Sequence, residues 1–210
     1  MQPYTIQQLA GNTDIYLLDQ ILKERYSKSD RVLDAGCGNG RNLHWFIMNH
    51  IDCYGIDMAP FAINQLKLQY PFLPDDRLQT TVVENLPFAV DFFDHIVSSA
   101  VLHFANGYNQ FTAMFMELAR VLKPGGTLFI RMASNIGIEN LVVSITPGVY
   151  TIPDGSTCFL LTKPLLEKIL EDHPFELIEP LKTVNVADIR CMTTLVMQKI
   201  NKVRPPHSKI

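Results

Sequence analysis

Three glycines, Gly36, Gly38 and Gly40, alternate with Cys37 and Asn39 directly after an apolar pair, Val32 and Leu33, and an acid, Asp34. Residues without a side chain let the main chain turn tightly and let a ligand lie against it. Leu43, Phe46 and Ile47 follow at helical spacing. The loop therefore runs into a helix start, whose free N–H groups favour anionic or strongly accepting groups. This is the chemistry of a nucleotide-type cofactor loop at the carboxyl end of a parallel strand.

Strand and helix patterns alternate around that loop. Strands are expected near 32–35, 52–57, 79–83, 94–99 and 126–132, and helices near 14–26, 41–49, 60–69, 108–122 and 162–172. The alternation implies a parallel sheet with helices on both faces. Asp14 is placed to cap the leading helix, which should pack on the sheet edge or over the cofactor mouth. Ala59 precedes Pro60, so the helix after Asp57 lacks a side-chain cap. Two extended runs close the chain, Phe175 to Val186 and Cys191 to Ile200, and the short connection between them suits an antiparallel hairpin. Residues 133–161 carry turn signals but also Leu141, Val143, Ile145, Tyr150 and Ile152, which reads as a wall or lid over an acceptor site.

The dinucleotide fingerprint G-x-G-x-x-G requires a third glycine where this chain has Arg41, and the phosphate-loop pattern is absent. The spelling D-x-G-C-G-x-G-R instead resembles the first motif of class I S-adenosylmethionine-dependent methyltransferases. Residues 51–57 resemble that family's second strand ending in an acid, and 84–88 its adenine-edge segment. Residues 93–103 and 118–128 are similar to its fourth strand and its helix–turn–strand. The resemblance covers roughly 30–132 in order. It implies an α/β, doubly wound, seven-stranded sheet of order 3-2-1-4-5-7-6, the last strand antiparallel, with helices on both faces. It divides the chain into an N-terminal helical cap (1–30), the methyltransferase domain with its lid insertion (31–200), and a flexible tail (201–210).

The resemblance also assigns residues. Asp34, Gly36, Cys37, Gly38, Gly40 and Asn42 form the loop's share of the S-adenosylmethionine site, with Asp34 either holding the methionine amino group or capping local backbone. Asp57, 21 residues beyond Gly36, meets the ribose hydroxyls at the spacing expected of such an acid. Met58 covers the adenine face or belongs to the core. Glu84, Asn85 and Leu86 edge the adenine or cap a short helix, and Ser99 lies beside the sulfonium. Two residues are candidates for the chemistry. His103 is either a general base or a packed ring, and Arg131 either grips an acidic acceptor or pairs structurally. Tyr4, Tyr150 and Phe159 are candidate walls of the acceptor pocket.

Composition narrows the partners. The 210 residues are 47% apolar and 19% charged, with a net charge of −3, which offers no electrostatic footprint for nucleic acid. No signal peptide or membrane span is expected. The four cysteines make no C-x-x-C pair and read as buried thiols of a reducing cytoplasm. No metal-ligand spacing stands out. The expectation is S-adenosylmethionine-dependent methyl transfer to a small-molecule O, N or S acceptor by a monomer or homodimer. A cofactor-binding sensor and a nicotinamide oxidoreductase are the rivals.

Overall fold

The computed structural model describes residues 5, 7 and 10–201. Tyr4 and nearly all of the tail at 201–210 lie outside the described residues. The main sheet is built from β1 (Arg31–Ala35), β2 (Asp52–Asp57), β3 (Leu78–Thr80), β4 (Phe93–Ser99) and β5 (Leu122–Ser134). Three smaller strands follow, β6 (Val143–Thr146), β7 (Val149–Thr151) and β8 (Thr157–Phe159), then β9 (Phe175–Leu177), β10 (Lys182–Val186) and β11 (Arg190–Lys199). The helices are α1 (Ile15–Leu22), α2 (Leu43–Met48), α3 (Pro60–Gln69), α4 (Tyr108–Val121) and α5 (Lys163–Asp172).

The order across the sheet is β10-β11-β5-β4-β1-β2-β3. Counting β10 and β11 as the sixth and seventh strands, this is the expected order. β1, β2, β3, β4 and β5 run parallel, and β11 runs antiparallel to β5 and to β10. One detail differs. The run from Phe175 to Val186 is broken, so its first part, β9, pairs separately with the far end of β11 and makes the sheet eight-stranded.

Why these strands sit centrally follows from their neighbours. Val32 and Leu33, Ile96 and Val97, and Leu128 and Phe129 are all buried, although successive side chains point to opposite faces. Both faces therefore need covers. Leu33, Ile96 and Leu128 pack with Phe111, Phe115 and Leu118 of α4, while Val32, Val97 and Phe129 pack with Leu17, Phe46 and Ile63 of α1, α2 and α3. The parallel strands thus end together at one carboxyl edge, where the glycine loop leaves β1.

Local chemistry sets the ends. Asp14 caps α1, its side chain accepting from the Tyr16 N–H at 3.0 Å. Ala59 supplies no side-chain cap to α3, and Pro60 occupies the first turn instead. β5 begins earlier than its pattern suggests, because Pro124, Gly125 and Gly126 form an irregularity within the strand rather than a turn before it.

The 133–161 insertion is ordered as a meander, β6-β7-β8. Phe159 is fully buried and stacks on Phe111 at 4.6 Å, so it belongs to the core. Tyr150 packs beside Ala133, Ile152 and Leu160. Among the described residues no helix is long and apolar enough to cross a membrane.

Candidate cofactor site at the glycine loop

β1 ends by burying Asp34 at 1% exposure. The loop then turns through Gly36 and Gly38, whose φ angles are +81° and +51°. Both conformations disfavour a side chain, but for different surroundings. A Cβ on Gly36 would lie 2.3 Å from Val101 Cγ2, so the protein's own packing demands the glycine there. A Cβ on Gly38 would meet nothing within 4 Å, which leaves bare main chain facing open space. Gly40 is close-packed like Gly36, with Leu66 Cδ2 2.4 Å from its would-be Cβ.

The loop is tied to β2. Gly36 and Cys37 N–H groups both donate to the Ile56 carbonyl at 2.8 Å. The Gly38 N–H donates to Asp57 Oδ2 at 2.8 Å, and Asp57 Oδ1 accepts from the Ala59 N–H at 2.8 Å. A cavity of about 980 Å³ opens on this loop. It is lined by residues 36–42, by Ser99 and Ala100 at the end of β4, and by Gln7, Gly11 and Asn12 of the N-terminal segment, with His44 and Tyr70 at one side.

Asp34 is an unsatisfied acid of the site. Its Oδ2 is buried without a hydrogen-bond partner. Burial pushes the carboxyl up from its ordinary 3.8 to about 7; Arg41 opposes that rise and Asp57 adds to it. A buried oxygen in this state is costly unless a donor reaches it, and an ammonium group is the donor that offsets the cost best.

A second polar cluster joins three segments. Asp14 Oδ2 lies 3.2 Å from Arg131 Nη1, 3.4 Å from Arg41 Nη2 and 3.4 Å from the Ser99 hydroxyl. The Asp14 N–H donates to Asn42 Oδ1 at 3.0 Å, fastening the start of α1 to the loop. Ala100 holds a left-handed backbone, φ +63°, and its N–H donates to the Arg131 carbonyl at 2.7 Å. Strain of that kind in a non-glycine residue gathers at ligand sites.

The expected residues divide into those that meet and those that do not. Gly36, Cys37, Gly38, Gly40, Asn42 and Ser99 all line the cavity. Asp57 stands behind it, joined through Gly38. Met58 is 74% exposed, which removes it from the core. The adenine-edge segment is held elsewhere. Leu86 is a core residue whose N–H donates to Glu117 Oε2 at 3.0 Å and whose carbonyl accepts from Arg120. Glu84 accepts from the Gln110 side-chain amide, and Asn85 is exposed. α4 supplies all three of these partners of Glu84 and Leu86, and residues 84–86 are not among those lining the cavity.

His103, the candidate general base, does not line the cavity. It sits on a 3₁₀ turn, its Nδ1 accepts from the Ala133 N–H at 3.4 Å, and its ring leans on Phe104. That bond keeps the neutral proton on Nε2, so neither nitrogen offers a free lone pair. Burial, with Arg190 and Arg131 nearby, pushes its pKa down to about 4. Arg131 pairs with Asp14 and lies 5.4 Å over the Tyr16 ring. The Asp14 cluster was not legible in the sequence beyond its cap role, because its partners lie on a distant strand and loop.

Residues 33–130 match the family model described as a methyltransferase domain. The chain is 35% identical over 104 residues to a tRNA (carboxymethyluridine(34)-5-O)-methyltransferase of Arabidopsis thaliana, covering 47% of this chain and 23% of that protein. Across the curated relatives the match spans from 21% to 49% of their length. Among solved structures, an S-adenosylmethionine-dependent methyltransferase from Methanosarcina mazei superposes with a TM-score of 0.68 at 20% identity, covering 87% of this chain and 98% of that one. The 1,6-didemethyltoxoflavin-N1-methyltransferase of Burkholderia thailandensis, solved with bound 1,6-didemethyltoxoflavin and S-adenosylhomocysteine, superposes with a TM-score of 0.64 at 18% identity, covering 91% of this chain and 80% of that one. With the strand order and the glycine loop, these matches liken residues 33–130 to the class I S-adenosylmethionine-dependent methyltransferase family. S-Adenosylmethionine is the cofactor of that family. The donor set at the loop fits it: an unpartnered buried carboxylate for its ammonium group, and open main chain at Gly38 for its body.

Proposed function

We propose that this chain transfers the methyl group of S-adenosylmethionine to a small-molecule O, N or S acceptor. The observation that carries the cofactor half is Asp34 Oδ2, buried and unpartnered two residues before the first glycine of the turn. In this reading Asp34 accepts from the methionine ammonium, Gly36, Cys37, Gly38 and Gly40 present main chain, and Asn42 and Ser99 flank the sulfur end. Asp57 keeps Gly38 in place and has lone pairs left for the ribose, and Met58 covers the adenine from its exposed position. The bound sulfonium supplies an electrophilic methyl. The protein's part is to align the nucleophile and exclude water, which is mainly proximity and orientation. Nothing in this requires His103 as a base.

The described residues of the N-terminal segment are the cover of the cofactor half, since Gln7, Gly11 and Asn12 line the cavity and Asp14 is fastened to the loop. The 133–161 meander serves the acceptor side. Thr146 and Pro147 line a second cavity of about 630 Å³ with residues 106–110. The net charge of −3 supports a small acceptor over RNA. Four free cysteines support a cytoplasmic protein.

Calorimetry with S-adenosylmethionine, S-adenosylhomocysteine and NAD tests the cofactor. Tighter binding of NAD would reject the assignment. Transfer of labelled methyl to a metabolite extract, with transfer RNA in a parallel reaction, tests the acceptor; label in the RNA alone would overturn the small-molecule reading.

A further inference from the structure

The cluster at the mouth of β4 and β5 is short of acceptors. Arg41 and Arg131 bring two positive charges, and Asp14 is the one carboxylate they share. Both guanidinium groups approach the same oxygen, Oδ2, at 3.4 and 3.2 Å, longer than the 2.7–2.9 Å of a well-made charge-assisted bond. The Ser99 hydroxyl competes for that oxygen from 3.4 Å, while Asp14 Oδ1 is engaged at the Tyr16 N–H. Arg131 Nε is buried with no partner at all. Arg41 and Ser99 line the large cavity, and Arg131 is the residue of β5 in register with Ser99.

From this we propose that Arg41, Arg131 and Ser99 form a carboxylate-binding subsite beside the methyl-transfer position, so that the acceptor carries a carboxylate. The inference rests on the methyltransferase reading. A planar carboxylate matches the fork of a guanidinium, and a second one would give the two arginines, which now share the Asp14 Oδ2 oxygen, a partner of their own. Asp14 partly occupies the subsite when no ligand is present and lowers its affinity for an external acid. The cofactor's own carboxylate is the other source of the same chemistry.

The test is calorimetry on the whole protein saturated with S-adenosylhomocysteine, titrated with malonate and benzoate against malonamide and benzamide. The acids bind and the amides do not. Arg131→Gln weakens acid binding at least tenfold, and Arg131→Lys retains part of it. Asp14→Asn, which keeps the helix cap, strengthens acid binding several-fold. A merely structural pair would lose affinity in both Asp14→Asn and Arg131→Gln, and that result overturns the proposal. So does equal binding of acids and amides. If Arg131→Gln weakens S-adenosylhomocysteine but not 5′-methylthioadenosine, which lacks the amino-acid part, the subsite belongs to the cofactor and the acceptor assignment falls. Failure of S-adenosylhomocysteine to bind the unaltered protein instead rejects the methyltransferase reading itself.

Discussion

Asp34 and Asp57 end neighbouring parallel strands, one residue type in two nearly equivalent places, yet the fold treats them oppositely. Asp57 is half-buried and its two oxygens accept from Gly38 and Ala59 N–H groups. Asp34 is fully buried and keeps one oxygen with no donor. The first acid is satisfied by the protein alone and shapes the loop. The second is left wanting, at a cost that a proton or a bound cation removes. The same contrast runs through the glycines: Gly36 is required by Val101, whereas around Gly38 there is open space.

The contrast can be broken in several places. The largest effect is expected at Gly36→Ala, where overpacking against Val101 and a left-handed backbone together cost about 2–4 kcal/mol of stability. Gly38→Ala costs about 1–2 kcal/mol through backbone strain alone. Denaturant unfolding of both variants checks the order, and equal losses would mean that the two glycines do not differ as described.

Next comes Asp57→Ala. Losing both backbone bonds should weaken S-adenosylhomocysteine binding by about 1.5–3 kcal/mol. A folded variant with unchanged affinity by calorimetry would refute the role of Asp57 in shaping the loop.

Asp34→Asn should do the reverse to stability. An acid whose folded pKa is raised contributes stability that is full below its ordinary value of 3.8 and is lost as pH rises to about 7. Above pH 7 the natural protein therefore carries the buried charge, and Asp34→Asn should be more stable there by about 1–2 kcal/mol while binding the cofactor less well. Melting curves at pH 5 and pH 8 read the difference; a variant less stable at pH 8 would contradict the unpartnered state of Asp34. In the natural protein, cofactor affinity should also rise with pH up to about 7 and then level off, since the ammonium group prefers the ionised carboxyl. That slope should vanish in Asp34→Asn.

The smallest effect is expected at His103→Gln. With Nδ1 engaged by Ala133 and no free lone pair, turnover should change by less than about threefold, roughly 0.6 kcal/mol. A hundredfold loss of kcat with KM unchanged would restore the catalytic role.

Much of the fold was legible because its signals are local. The expected spans of β2 and α3 coincide with those found, and the strand order follows the resemblance. The broken sixth strand was not legible, since Phe175 to Val186 is uniformly extended in pattern and only pairing with β11 divides it. Glu84, Asn85 and Leu86 were placed at the adenine by likeness to a segment. Their actual partners, Gln110, Glu117 and Arg120, lie on a helix that begins some twenty residues later. Met58 could be read as core or ligand cover because methionine suits both, and only its exposure decides.

The amino-acid order by itself determined where the chain turns, which strands are buried on both faces, and that main chain without side chains follows β1. Those properties depend on neighbours within a few residues. The tertiary structure decided which polar groups are satisfied: that Asp34 keeps an empty oxygen, and that Asp14 meets Ser99 from 85 residues away. Counting donors against acceptors requires knowing which side chains meet, and that is a property of the packed molecule.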